Sequence, residues 1–208
     1  MITSTSRAKL KPDPSKFWRA LHDTERLALH AAVYTWAAVQ MQPGWVLDLG
    51  CEYGFGSLLI AEANPGVQVL GLDLDFSALG YSQGLPFKEG IPWVNAGAHE
   101  LPVASGSLSG IFLINLLHLV ENAAAVLSEA RRALRSGGLA VLSIPWIGSR
   151  EIVQDTSQRI EQLEAEINAQ FLEVIYPNKI CGQLPSFPPQ TFLLDQQAST
   201  WVACCRKN

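Results

Sequence analysis

The chain has 208 residues, enough for one domain with a substantial buried core. Hydrophobic residues make up 48% of the chain and charged residues only 16%, which excludes an intrinsically disordered protein. The formal net charge of −4 argues against a nucleic-acid-binding protein, because such proteins contact phosphates through an excess of basic side chains.

Two segments bear on the cellular location. The first residues, Met1 to Lys16, contain no apolar core of the kind that a secretory signal needs. The longest apolar run, Ile111 to Val120, is too short to span a bilayer. We therefore expect a cytoplasmic protein that does not associate with membranes. The 4 cysteines form no C-x-x-C pair, so we expect neither a metal site nor a disulfide framework.

Apolar periodicity and turn residues predict helices and strands that alternate along most of the chain. The predicted helices are Asp23 or Thr24 to Met41, Ser57–Ala63, Phe76–Phe87, Asn122–Arg135 and Ser149–Gln170. Asn122 is the expected N-cap of the fourth helix, and Gly137 is its expected left-handed cap. The predicted strands are Trp45–Leu49, Gln68–Leu72, Pro92–Asn95, Gly110–Asn115, Leu139–Ile144, Phe171–Tyr176 and Thr200–Cys205.

This order predicts an α/β fold, a three-layer sandwich in which helices cover both faces of a seven-stranded, mostly parallel sheet. The last two strands have no helix between them, so we expect the last strand to be antiparallel. We expect a single domain, in which residues 1–44 form an N-terminal helical cover and residues 45–208 the sheet core.

The most informative motif is the glycine-rich turn from Gly50 to Gly56, between the first strand and the helix that follows it. Glycines allow close approach of a ligand, and a helix N-terminus leaves backbone N–H groups to face it. Asp73, after the second strand, lies 19 residues beyond Gly54, a spacing at which a strand-end acid meets a ribose. The motif predicts a nucleoside-containing cofactor.

The turn does not have the G-x-G-x-x-G spacing of nicotinamide or flavin enzymes, which disfavours an oxidoreductase. It resembles the turn of class I S-adenosylmethionine-dependent methyltransferases, and the resemblance continues in order from about Trp45 to Pro145. The segments that carry it are Val46–Ser57, Gly71–Asp75, Trp93–Pro102, Ser105–Val120 and Leu127–Gly138. The resemblance implies the Rossmann-like methyltransferase fold, with S-adenosylmethionine as cofactor.

The resemblance also implies a role for each residue of the cofactor site. Asp73 would accept hydrogen bonds from both ribose hydroxyls, and Asn115 would lie near the reacting methyl group. The other implied cofactor-binding residues are Gly50 and Gly54 at the methionine part, Glu52 in the turn, and Leu74 and Ala98 on either side of the adenine. Asp48 would steady either the turn or, through water, the cofactor's amino group.

Three positions depart from the family pattern. Glu52 stands where the family commonly has glycine, and its carboxylate would either pair with the cofactor's ammonium group or obstruct the site. Gly97 stands where many members have an acid that binds the adenine amino group, and Ser109 stands where an acid often precedes the fourth strand. These departures keep open an alternative, a non-catalytic protein that uses the methyltransferase fold to bind a ligand or partner.

His118 is the candidate catalytic base, because it follows the fourth strand at the mouth where substrates enter such sheets. Packing against the next helix is the alternative role. Of the other histidines, His22 is a candidate lid residue, whereas His30 and His99 have no predicted catalytic role. Trp18, Tyr53 and Trp146 are the candidate substrate-pocket residues, and Phe187 is a further aromatic side chain considered for it.

The segment Asn115-Leu116-Leu117-His118 differs from the Asn-Pro-Pro-Tyr type of signature associated with methylation of bases or of glutamine. We therefore expect transfer of a methyl group to O, N or C of a small, fairly apolar molecule, with no nucleic-acid partner. The apolar N-terminal helix and the final strands are candidate surfaces for a homodimer.

Overall fold

A computed structural model describes residues 24–83, 90–147, 150–171, 173–175 and 198–207 of the chain. The five helices are α1 (Thr24–Ala38), α2 (Phe55–Ala63), α3 (Phe76–Gln83), α4 (Ala123–Ala133) and α5 (Arg150–Gln170). The strands are β1 (Gly44–Leu49), β2 (Val67–Asp73), β3 (Trp93–Asn95), β4 (Leu108–Ile114), β5 (Leu134–Ile147), β6 (Glu173–Ile175) and β7 (Ala198–Arg206).

The strands form one sheet in the order β3-β2-β1-β4-β5-β7-β6. Strands β1 to β5 are parallel to one another, whereas β7 is antiparallel to both β5 and β6. This confirms the predicted α/β fold and the antiparallel last strand. The direction of winding reverses between β1 and β4, which makes the carboxyl ends of these strands the edge where open α/β sheets bind ligands.

Most elements lie close to their predicted bounds, but the prediction for the end of α4 was wrong. Asn122 caps the helix as expected, since its side chain accepts a hydrogen bond from Ala125 N at 3.0 Å. The helix ends at Ala133 rather than Arg135, because Leu134 already has extended backbone and begins β5. Gly137, expected as a helix cap, lies within β5 with φ 74° and donates to Lys207 O at 2.7 Å.

The core has two parts, which explain how the helices are held. One contains the inner faces of α4 and α5, with Leu127 and Ile167 fully buried. The other contains α1 and α2, with Ala37, Ile60 and Phe112 fully buried. Helix α1 is thus packed on the sheet, which places its polar side chains within reach of β1 and β4. None of the described helices is long and apolar enough to cross a membrane.

Candidate functional site

The glycine turn after β1 requires left-handed backbone at three positions. Gly50 and Gly54 have φ angles of 79° and 74°, and Glu52 has φ 44°. Glycine adopts this conformation without steric cost, whereas a residue with a Cβ is strained there. The turn is also bonded to the neighbouring strand, since Gly50 N and Cys51 N donate to Leu72 O at 2.8 and 3.1 Å.

Asp73 ends β2 next to this turn, and its two carboxylate oxygens have separate partners. Oδ2 accepts from the backbone N–H of Glu52 and Oδ1 from the backbone N–H of Asp75, each at 2.8 Å. A carboxylate has about four acceptor positions, so two hydrogen bonds orient it and leave capacity for two more. The arrangement suits recognition of a pair of hydroxyl groups.

The Glu52 side chain is exposed, so it does not fill the interior of the turn. Its backbone carbonyl accepts a weak hydrogen bond from Ser82 Oγ of α3 at 3.4 Å, which joins the turn to the helix after β2. The positive φ of Glu52 gives a physical reason for the glycine that the family commonly has at this position.

Asp48 supports the turn from within the core. Its carboxylate is fully buried and accepts hydrogen bonds from Tyr34 of α1 at 3.0 Å and from Ser57 of α2 at 2.7 Å. Burial is the main reason why the pKa of Asp48 rises to about 6, although both hydrogen bonds act in the opposite direction. Asp48 thus joins both helices to β1, which agrees with one of its two expected roles, that of steadying the turn.

The two residues expected to enclose the adenine differ in exposure. Leu74 is 77% exposed, whereas Ala98 is half-buried and packs against the core. The side-chain amide of Asn95 donates to the carbonyl oxygens of Asp73 and Leu74, both at 2.9 Å, and so fixes the segment that carries Leu74. The space beside Gly97 is open, since an added Cβ would meet no heavy atom within 4 Å.

Asn115 follows β4 directly and contacts side chains from two other elements. Its backbone N–H is shared between Ser143 O at 3.0 Å and Ser143 Oγ at 3.1 Å, and the Ser143 hydroxyl lies 3.1 Å from Asn115 Oδ1. Its side-chain nitrogen Nδ2 contacts Nε2 of His30. Asn115 has φ 53°, a conformation that asparagine tolerates better than most residues.

The glycine turn, Asp73 and Asn115 therefore lie along one edge of the sheet, at the carboxyl ends of β1, β2 and β4. The family model described as "Methyltransferase domain" matches residues 47–142, which contain all three. The chain is 28% identical over 171 residues to a malonyl-[acyl-carrier protein] O-methyltransferase of Hamiltonella defensa, a match that covers 80% of this chain and 64% of the relative. Residues 47–142 are therefore a methyltransferase domain, and the chain is similar to S-adenosylmethionine-dependent methyltransferases.

Two further proteins show the breadth of this similarity. A ubiquinone/menaquinone biosynthesis C-methyltransferase of Desulfotalea psychrophila is 33% identical over 98 residues, 47% of this chain and 40% of the relative. The structure of Haemonchus contortus phosphoethanolamine N-methyltransferase 2 with S-adenosyl-L-methionine has a TM-score of 0.61 and 17% identity over 92% of this chain and 60% of that chain. The family and fold expected from the sequence are confirmed. The chain spans less than two thirds of the length of either curated relative.

Some of the candidate substrate-pocket and catalytic residues lie within the described part of the chain. Tyr53 is half-buried in the glycine turn, where its ring meets that of Tyr81 of α3 edge to face, with centroids 5.6 Å apart. His118 is half-buried in the loop after β4, three residues beyond Asn115. Trp146 lies on β5 opposite Ser199 of β7. Their roles in a substrate pocket or in catalysis stay predictions, as does the homodimer.

Trp18, His22 and Phe187 lie outside the described residues. The described part of the chain contains no cluster of three His, Cys, Asp or Glu side chains that could hold a metal ion.

The sequence reasoning missed Tyr34 and Ser143, which bind Asp48 and Asn115, and it missed His30. His30 lies four residues before Tyr34, on the same face of α1, and this spacing is its one link to the site in the sequence. The link becomes visible only once α1 is placed on the sheet.

Proposed function

We propose that the chain is an S-adenosylmethionine-dependent methyltransferase that binds its cofactor at the carboxyl ends of β1, β2 and β4 and methylates a small, fairly apolar molecule. The observation that carries this proposal is the orientation of Asp73. Backbone N–H groups of Glu52 and Asp75 hold its two oxygens at 2.8 Å, beside a turn whose left-handed glycines allow the backbone to approach a ligand closely. A preoriented carboxylate suits the two ribose hydroxyls.

The neighbouring residues fit the remaining parts of the cofactor. The exposed side chain of Leu74 and the half-buried Ala98 offer apolar surface to the adenine. Gly54 is the N-cap of α2 and supplies no side-chain hydrogen bond, so the first N–H groups of the helix are suited to a carboxylate such as that of the methionine part. The exposed Glu52 carboxylate is a candidate partner for the ammonium group.

When bound, S-adenosylmethionine supplies a methyl group on a sulfonium, which is already an activated leaving group. The protein's part is then to hold the acceptor in line, to exclude water and to receive any proton that the acceptor gives up. His118 is the proposed base, because it follows β4 three residues beyond Asn115. Tyr53, Trp18 and Trp146 are the proposed pocket residues for the apolar body of the substrate.

The proposed accepting atom is an O, N or C atom of the substrate. The two curated relatives are named for O-methylation and for C-methylation, respectively. Both kinds of acceptor are therefore to be tested, each as a small molecule, with formation of S-adenosylhomocysteine as the readout. A small-molecule substrate also agrees with the formal net charge of −4, because proteins that bind nucleic acids usually have an excess of basic side chains.

Isothermal titration of the full chain with S-adenosylmethionine and with S-adenosylhomocysteine tests the proposal directly. We expect binding of both, and no binding at millimolar ligand would reject an enzyme that uses this cofactor. Formation of S-adenosylhomocysteine in the presence of an acceptor, above the rate without it, would then establish methyl transfer.

A non-catalytic member of the family is the second candidate, because Gly97 and Ser109 lack the acids that many members have. Ser109 is instead buried, and its hydroxyl donates to Trp45 O at 3.0 Å, a contact within the sheet. The exposed side chain of Glu52 favours an open turn over an obstructed one. Binding without turnover of any acceptor would support this second candidate.

A further inference from the structure

The orientation of the Asn115 side chain follows from its contacts with Ser143. A backbone N–H can only donate, so Ser143 Oγ accepts from Asn115 N at 3.1 Å. In the structure the Ser143 hydroxyl donates to Asn115 Oδ1, also at 3.1 Å. The oxygen of the Asn115 amide therefore faces Ser143, and its nitrogen faces His30.

This orientation sets the role of His30 in the contact. An amide nitrogen carries two hydrogens and accepts no hydrogen bond, so the contact requires Nε2 of His30 to accept from Asn115 Nδ2. An imidazole that accepts through Nε2 has no proton on that atom, which leaves Nδ1 as the protonated nitrogen of the ring. Nδ2 of Asn115 uses one hydrogen for His30 and has a second with which it can donate to a ligand.

Asn115 also lies next to the glycine turn. A Cβ added to Gly50 would stand 3.1 Å from Cδ1 of Leu116, the residue after Asn115, so the end of β4 packs against the turn. Four residues after His30 on α1, Tyr34 donates to Asp48 of β1. One face of α1 thus contacts the end of β4 through His30 and the end of β1 through Tyr34.

We propose that His30 is a positioning residue of the cofactor site, which holds the Asn115 amide so that its second Nδ2 hydrogen meets the carboxylate of the cofactor's methionine part. This inference rests on the proposed function. The Ser143 hydroxyl holds the other end of the same amide, and the two contacts together fix the left-handed backbone of Asn115. A preorganised donor costs less to engage than one that must first be ordered.

Two ligands separate this role from a merely structural one. S-adenosylhomocysteine carries the methionine-derived carboxylate, whereas 5′-methylthioadenosine carries the same nucleoside without it. We expect His30→Ala to weaken binding of S-adenosylhomocysteine about tenfold, the effect of one hydrogen bond, and to leave binding of 5′-methylthioadenosine unchanged. His30→Gln, whose side-chain oxygen can accept from Asn115 Nδ2, should bind S-adenosylhomocysteine within about threefold of the wild type.

The matched control is Thr35→Ala, at an exposed position of the same helix, which should change binding of neither ligand. Equal weakening of both ligands by His30→Ala, or no weakening of either, would overturn the proposal. So would a failure of His30→Gln to restore binding.

Ring-nitrogen NMR gives a readout that needs no ligand. At pH 7 the His30 spectrum of the wild type should show the neutral ring with its proton on Nδ1, and Asn115→Ala should shift the proton toward Nε2. A charged ring, or a proton on Nε2 in the wild type, would overturn the proposal. If the wild type bound neither nucleoside, the proposed function would fail together with the ligand contact, and the spectrum would still decide whether the side-chain network exists.

Discussion

Asp73 accepts a hydrogen bond from the backbone N–H of Glu52 at 2.8 Å, although the two residues are 21 positions apart in the chain. This contact joins the end of β2 to the glycine turn that follows β1. Because the backbone N–H of Asp75 binds the other carboxylate oxygen, Asp73 is held in one orientation from both sides. The proposed ribose site is therefore ordered without a ligand, and it depends on this one side chain.

Replacement of Asp73 should abolish cofactor binding. We expect Asp73→Ala to show no binding of S-adenosylhomocysteine at millimolar concentration in isothermal titration. Asp73→Asn keeps one oxygen acceptor but loses the charge, so its affinity should fall by about 10- to 100-fold, since hydrogen bonds to charged groups contribute roughly 1.5–3 kcal/mol.

Asp75→Ser is the matched control for this pair of variants. Asp75 Oδ1 accepts from Ser77 N at 2.9 Å and from Ala78 N at 3.3 Å, and serine is also a good helix cap. The control should bind S-adenosylhomocysteine like the wild type. Unimpaired binding by Asp73→Ala would show that the cofactor is not held at this edge of the sheet.

Glu52→Gly should make the protein more stable. Glu52 has φ 44°, where a side chain is strained and glycine is not. We expect the free energy of unfolding to rise by up to about 1 kcal/mol, part of the gain being offset by the greater freedom of glycine in the unfolded chain. Urea unfolding measures this change.

Glu161→Gly, at an exposed position within α5, is a control for which we expect the opposite change in the free energy of unfolding. It should lower the free energy of unfolding by about 1 kcal/mol, because glycine is unfavourable in the interior of a helix. Titration of Glu52→Gly with S-adenosylhomocysteine then tests whether the Glu52 side chain contributes to binding of this ligand. Weaker binding despite greater stability would identify the Glu52 carboxylate as a ligand of the ammonium group.

The sequence predicted the fold well, because the signals concerned are local. Alternating apolar segments and the turn glycines give the order of the strands and helices, and the absence of a helix before β7 gives its direction. The end of α4 was missed because Leu134 and Arg135 continue the helical pattern, whereas in the structure Leu134 pairs with Leu108 of β4. Tertiary pairing overrides helix propensity at that point.

The candidate site was predictable to a smaller extent. The glycine turn and Asp73 follow a pattern along the chain, and the structure places them side by side. His30 and Asn115 are 85 positions apart in the chain, one on a helix and the other at the end of a strand. No local sequence pattern predicts that these two elements meet. The same holds for Tyr34 and Asp48, which meet only because α1 packs on β1 and β4.

Gly97→Asp should strengthen cofactor binding. Many members of the family have an acid here, expected to bind the adenine amino group, and a Cβ at this position would meet no atom within 4 Å. One added hydrogen bond to a carboxylate should increase the affinity for S-adenosylhomocysteine by about tenfold. Gly97→Asn, with the same size and no charge, should give a smaller gain. No gain from either variant would place the adenine elsewhere.

His118→Ala should separate binding from catalysis. If His118 receives the proton of the acceptor, the variant should bind S-adenosylhomocysteine like the wild type, and its kcat should fall by about 100-fold or more. The measurement is steady-state formation of S-adenosylhomocysteine with an established acceptor. A variant of undiminished kcat would leave His118 with a packing role against the next helix.

Asp48→Asn should change how stability depends on pH. In the folded protein burial raises the pKa of Asp48 from its usual 3.8 to about 6. A carboxyl group whose pKa is raised on folding stabilises the protein below about pH 4, and this contribution is lost as the pH rises to about 6. Asparagine has no such titration, and its amide can donate to the hydroxyl of Tyr34 or Ser57.

The stability of Asp48→Asn relative to the wild type should therefore increase between pH 4 and pH 7, by on the order of 3 kcal/mol. Urea unfolding of both proteins across this range measures the difference, in which the other titrating groups cancel. Ser57→Ala removes a hydrogen bond that lowers the pKa of Asp48, so it should move the transition to higher pH. A constant difference between Asp48→Asn and the wild type would mean that folding leaves the pKa of Asp48 at its usual value, which would contradict the prediction.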